Sequence, residues 1–192
     1  MLFISLSSSD DSICSGCLLA HFMGLGKSLT TITVLHTALK SPSLRSSSGK
    51  QLFHTVLMIV PANTLTNWAN EVDKWTGKLK DSLFISNLTQ VKKDYREMEI
   101  KKWKGQGGLL IMSDMTFVKS CDSILKAVQP DILVLDEAHT MLKSKSTQIF
   151  KKLAAVKTER KILLTGTPYQ NNLTEYFQLL QFIRRAPQFT EN

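Results

Sequence analysis

The chain has 192 residues, 43% of them hydrophobic and 21% charged, which suits one to one and a half domains with a packed core and excludes a disordered polar tail. Lys and Arg number 24 against 16 Asp and Glu, and the net charge of +8 suits a polyanionic partner such as nucleic acid without proving one. No run approaches the roughly 20 apolar residues that span a bilayer, so no membrane partner is expected, and the first residues lack the basic start of a secretory signal.

Residues 1–15 are rich in Ser and show no periodicity, so they are expected to be disordered or irregular. Cys14 and Cys17 form a CxxC, but no second ligand pair follows at zinc spacing, and with Cys121 the cysteines are too few and too odd for a disulfide framework. Cys17 is therefore expected in a buried strand, in a reducing compartment. From there, short apolar runs at 17–20, 55–60, 83–86, 109–113, 132–135 and 161–165 alternate with longer amphipathic stretches at 28–39, 64–75, 90–104, 148–155 and 174–183. The apolar runs are nearly continuous rather than alternating, as in strands covered on both faces. The reading is an α/β fold: a mostly parallel central sheet, right-handed crossovers and helices on both faces. Residues 41–50 are a polar surface loop. In 64–75, Leu65, Trp68, Ala69, Val72 and Trp75 share one stripe, so both tryptophans are expected in the core rather than stacked on bases.

Two segments carry chemistry. After the first strand, His21-Phe22-Met23-Gly24-Leu25-Gly26-Lys27-Ser28 leads into a helix. Glycines there let backbone amides approach phosphate oxygens, and the helix N-terminus adds its dipole. Lys27 can reach the β- and γ-phosphates, and the Ser28 hydroxyl can ligate Mg²⁺. His21 stands where the strict phosphate-loop pattern has Gly, so the alternative here is a glycine turn with no ligand. The run 131–135 ends in Asp136 and Glu137, followed by Ala138 and His139. Strand ends of this kind face the nucleotide crevice of open α/β sheets. Asp136 would hold Mg²⁺, and Glu137 would deprotonate the water that attacks the γ-phosphate. The alternative for a lone acidic pair is a solvated helix cap, but the two segments are complementary halves of one magnesium–nucleotide site.

MGLGKS at 23–28, DEAH at 136–139 and LTGTPYQNN at 164–172 together resemble the first RecA-like lobe of the Snf2 family, ATPases of helicase superfamily 2 that translocate on double-stranded DNA and remodel chromatin. The third motif is the specific one, because DEAD-box RNA helicases carry Ser-Ala-Thr there. Residues 61–68, with Glu71, Lys74 and Trp75, are similar to that family's motif Ia. His21, the preceding GCLLA and 107–111 look most like the ATRX-type group. The resemblance implies a P-loop NTPase lobe over 16–186, between an irregular segment 1–15 and a tail 187–192, with the second lobe and the adenine-reading segment absent.

It also implies residue roles. Met23, Gly24, Leu25, Gly26, Lys27 and Ser28 would bind ATP, with Lys27, Asp136 and Glu137 catalytic and Ser28 and Asp136 on magnesium. His139, Thr165, Gly166, Thr167 and Gln170 would couple hydrolysis to lobe movement, with Asn171 beside them. Pro61, Asn63, Thr64, Ser113, Lys143 and Lys145 would face double-stranded DNA, whose backbone contacts carry no sequence information. The basic cluster at 92–104 is interrupted by Asp94, Glu97 and Glu99 and reads as a solvated helix face. The cluster Lys143, Lys145, Lys151 and Lys152, with only Glu159 nearby in sequence as an acid, reads as the DNA patch. A nuclear location is expected. The family closes its nucleotide cleft with arginines from the second lobe, so this chain alone is expected to be weakly active or inactive. The competing readings are a non-hydrolysing nucleotide- or DNA-binding module and a different P-loop NTPase, the latter disfavoured by 164–172.

Overall fold

The computed structural model describes residues 16–22, 24–79, 82–166 and 173–183, with side chains in the last stretch from 176 onward. Among them are six strands: β1 (Gly16–Ala20), β2 (Thr55–Val60), β3 (Ile85–Asn87), β4 (Gly108–Ser113), β5 (Ile132–Leu135) and β6 (Arg160–Thr165). They form one sheet in the order β1-β6-β5-β2-β4-β3, with every pairing parallel. The helices are α1 (Lys27–Lys40), α2 (Leu65–Thr76), α3 (Arg96–Gln106), α4 (Asp114–Ala127), α5 (Ala138–Met141), α6 (Gln148–Ala154) and α7 (Leu173–Ile183).

Alternate residues of each strand feed two separate cores. Met58, Ile111, Val134 and Leu164 pack with Ile32 and Leu35 of α1 and Trp68 and Val72 of α2 on one face. Leu57, Leu110, Leu133 and Leu163 pack on the other with Trp103 of α3, Phe117 and Ile124 of α4, Ala138 of α5, Leu153 of α6 and Phe182 of α7. The RecA-like α/β fold thus has helices on both faces, and its sheet is entirely parallel among the described residues. Because all strands point the same way, the segments after β1, β2, β5 and β6 gather at one edge, where open α/β sheets bind ligands.

Four elements depart from the sequence reading, the short helix α5 among them, since no helix is expected over Ala138–Met141. Helix α4 was not anticipated: its stripe of Phe117, Cys121 and Ile124 is buried, but Lys119, Ser120, Asp122 and Ser123 break up the apolar pattern. Strand β3 starts at Ile85 rather than 83, because Leu83 packs in the core without pairing while the Phe84 carbonyl already accepts from Leu109 N at 2.8 Å. The helix expected over 90–104 begins at Arg96 and is preceded by a single 3₁₀ turn at Lys93–Tyr95. The glycine at 108 (φ 90°) is dictated by close packing, since a β-carbon there would collide with the Phe84 carbonyl oxygen. Cys17 is buried in β1, as expected, and burial pushes its thiol up to about 11. Among the described residues no group of three or more His, Cys, Asp and Glu is placed to hold a metal ion, and no helix is long and apolar enough to cross a membrane. Cys14, the segment 1–15 and the tail 187–192 lie outside the described residues.

Candidate nucleotide-binding site

The turn from β1 into α1 is built on glycine. Gly24 (φ 83°) and Gly26 (φ 74°) are left-handed, a conformation costly for other residues. A β-carbon at either position would meet nothing within 4 Å, so the glycines answer a backbone requirement and leave the outer face of the loop open. Helix α1 takes no side-chain cap from Gly26 and has no acidic residue in its first turn. The partial positive charge at its N-terminus is therefore not cancelled by its own side chains. The Lys27 ammonium folds back onto the loop, donating to the carbonyls of His21 at 2.6 Å and Phe22 at 3.2 Å.

Gly24, Gly26, Lys27 and Ser28 form one wall of a cleft of about 350 Å³, whose other walls are Thr64, Asn67, Trp68, Asp136 and Glu137. The two halves of the site expected from sequence, 108 residues apart from Ser28 to Asp136, thus share one cavity.

Asp136 lies just beyond β5, held by its backbone N–H donating to Ile59 O at 2.9 Å. Its side chain is buried and hydrogen-bonded at both oxygens: Oδ1 accepts from Glu137 N at 3.0 Å, and Oδ2 accepts from the Trp68 indole at 2.7 Å. Burial raises its carboxyl pKa above the ordinary range; the Trp68 bond opposes that shift, and the neighbouring Glu137 charge reinforces it. Glu137 is the single non-glycine residue with positive φ among those described, at φ 47° and ψ 46°. Such a conformation costs about 1–3 kcal/mol and tends to be kept where a site requires it. It reverses the chain between β5 and α5, leaving the Glu137 carboxylate in the cleft. Glu137 Oε2 lies 3.4 Å from His139 Nδ1 and 3.5 Å from Gly166 N. His139 Nδ1 is also 2.9 Å from Thr165 Oγ1. Thus Glu137, His139, Thr165 and Gly166, from the ends of two adjacent strands, form one polar chain. Met23, Thr167, Gln170 and Asn171 lie outside the described residues.

The donor set fits a magnesium nucleotide: a hydroxyl (Ser28) and a carboxylate (Asp136) share a cleft with an ammonium (Lys27) and an open helix N-terminus.

The residues expected to face DNA separate. Asn63, Lys143 and Lys145 are exposed and Pro61 is half-buried. Thr64 lines the cleft beside Lys27 and Asp136, its hydroxyl donating to Pro61 O at 3.1 Å. Ser113 corrects the expectation for its side chain: it is 3% exposed, and its hydroxyl caps α4 by accepting from Thr116 N at 3.2 Å. Of the basic cluster, Lys152 is paired with Asp122 of α4 at 2.6 Å, an acid that sequence proximity hid. Trp75 also departs from expectation. It is 41% exposed, donates to Glu71 Oε2 at 2.9 Å and lies under the Lys74 ammonium. Asn67 and Trp68 also line the cleft, and nothing local to α2 in the sequence signals the acid that Trp68 meets.

A model of the SNF2-related domain matches residues 5–191. Over 187 residues the chain is 38% identical to the transcriptional regulator ATRX of Mus musculus, an alignment covering 88% of this chain and 7% of that protein. It is 36% identical over 184 residues to the protein CHROMATIN REMODELING 20 of Arabidopsis thaliana, covering 89% of this chain and 12% of the relative. Identity to the DNA repair and recombination protein RAD54-like of Mus musculus is 33% over 174 residues, covering 88% and 22%. The chain therefore spans between 7% and 22% of these relatives' lengths.

Proposed function

Because the chain belongs to the SNF2-related domain family, with ATRX-type proteins among its relatives, we propose that it is the first RecA-like, ATP-binding lobe of a Snf2-type DNA-dependent ATPase that acts on double-stranded DNA in chromatin, in the nucleus. One observation carries this reading: the glycine loop, Lys27 and Ser28 share a cleft with Asp136 and Glu137.

In that cleft, the loop amides and the α1 N-terminus bind phosphate oxygens, and Lys27 exchanges its contacts with His21 and Phe22 for the β- and γ-phosphates. Ser28 and Asp136 would hold Mg²⁺, which neutralises charge on the phosphates. Glu137 accepts a proton from the attacking water as general base, oriented by His139 and the Gly166 amide. The chain from Glu137 through His139 to Thr165 and Gly166 links the site to the segment expected to transmit movement.

Lys27 is the one cation among the described residues lining the cleft. An arginine finger is worth about 10³–10⁵ in rate in related phosphoryl transfer. Because the family's arginines come from a second lobe, the 192-residue polypeptide by itself is expected to bind ATP weakly and to turn it over slowly if at all. The test is titration of a non-hydrolysable ATP analogue, with and without duplex DNA, at about 50 and about 200 mM salt. Magnesium-dependent binding lost in Lys27→Ala, and salt-sensitive DNA binding, are the expected results. Nucleotide affinity equal in Lys27→Ala overturns the site. DNA-stimulated turnover matching a two-lobed relative overturns the dependence on a second lobe.

A further inference from the structure

We propose that Trp68 is a positioning residue for the magnesium site, its indole N–H fixing the carboxylate of Asp136 in the orientation that receives the metal. The proposal rests on the reading of the cleft as a magnesium–nucleotide site.

The bond is short, at 2.7 Å, and both partners are buried, Trp68 at 4% exposure and Asp136 at 7%. With Glu137 N on Oδ1, it gives each carboxylate oxygen one fixed donor, so rotation of the group would break a bond in a buried setting. Each oxygen keeps lone-pair capacity for a further partner. The donor's chemistry is also specific. An indole N–H donates without carrying charge and has no acceptor, so it orients the carboxylate without neutralising it. A lysine or arginine in that place would cancel much of the charge a cation needs.

The other two tryptophans show what an ordinary indole does here. The Trp103 indole donates to a nearby backbone carbonyl, Gly108 O, at 3.0 Å, and the Trp75 indole to Glu71 on its own helix. Trp68 instead crosses from α2 to an acid 68 residues away in the chain. Core packing alone would be met by an aromatic ring of any kind. Trp68 lines the cleft beside Thr64 and Asn67, so the first turn of α2 and the acid beyond β5 are tied at one point.

The experiment compares the 192-residue chain with its Trp68→Phe variant, which keeps an aromatic ring and removes the donor. ADP affinity is measured by calorimetry with Mg²⁺ and with a chelator, alongside the melting temperature. The expected result is a ratio of affinities with and without Mg²⁺ reduced about 10- to 100-fold, the usual effect of losing a residue that orients a metal ligand. A folded variant that keeps the full gain overturns the proposal. Should the variant not fold, the wild-type chain with ¹⁵N-labelled indoles decides. The Trp68 N–H resonance should move when Mg²⁺ is added to the ADP-bound protein while that of Trp103 stays; a stationary Trp68 signal overturns the proposal. A wild-type chain that binds no magnesium nucleotide overturns the cleft reading and this role with it. Binding abolished by Lys27→Ala, together with an intact magnesium gain in Trp68→Phe, overturns the role of Trp68 alone.

Discussion

Asp136 and Glu137 are neighbours in the chain held in opposite ways. Asp136 is buried with two fixed donors, while Glu137 stands on a left-handed backbone, partly exposed, at the limit of reach of His139 and Gly166. That difference suits a metal carboxylate beside a base that must exchange protons. Glu137→Gln is expected to leave Mg²⁺·ADP affinity intact and to lower any DNA-stimulated turnover about 10²–10⁴-fold, whereas Asp136→Asn weakens the affinity itself; calorimetry and a phosphate-release assay separate the two. The thiols of Cys17 and Cys121 are both pushed up to about 11, chiefly by burial. A folded-state pKa above the unfolded value means that their contribution to stability is complete below the ordinary thiol pKa of 9.0 and is lost as pH rises toward about 11. Iodoacetamide at pH 8, followed by peptide mass spectrometry, should leave both unmodified in the native chain and label both after unfolding. Modification of either at the native rate of a free thiol would contradict their burial.

At the scale of elements, α4 is the long helix that the sequence conceals, and the residue at its start reads as something else. Ser113 reads as a phosphate contact, yet its hydroxyl is the N-cap. The two roles give opposite outcomes. As a cap, Ser113→Ala should cost about 1 kcal/mol in chemical denaturation and leave the salt slope of DNA binding unchanged; as a phosphate ligand it would lower the slope and spare stability. The six apolar runs were legible because a parallel strand buried on both faces is apolar at nearly every position, and each of them became a strand. Helix α2 was legible as an amphipathic stripe, but the stripe overreached: Trp75 stands at its flank and lies exposed beside Lys74, while Thr76, one residue on, is buried. Periodicity reports which residues share a face and does not report how far the neighbouring layer extends.

For the whole molecule, the charge of +8 matters only by its placement. The cluster after Asp136 and Glu137 loses Lys152 to Asp122, and a pair so engaged is a poor phosphate contact. Lys143 and Lys145 are exposed on the segment between α5 and α6, as a contact to DNA would require. Substituting each with Ala should lower the log–log salt slope of duplex binding by about 1, measured by fluorescence anisotropy. Lys152→Ala should leave it unchanged. Equal effects at all three positions would show that the field of the whole chain, rather than this segment, attracts the DNA.

What the sequence determined by itself was local: six strands by unbroken apolarity, a turn of two glycines before a lysine and a helix, and two acids just after a buried strand. These follow from chemistry within a few residues, where backbone sterics and side-chain type suffice. The tertiary structure alone decided the rest. The strand order brings the segments after β1, β2 and β5 to one cleft, the Trp68 indole to Asp136, Thr165 to His139 and Asp122 to Lys152. Each of these pairings joins residues at least 26 positions apart. A hydrogen bond or ion pair between groups so far apart in the chain leaves no periodicity in it, and is set only when sheet order and crossover direction place two strand ends side by side.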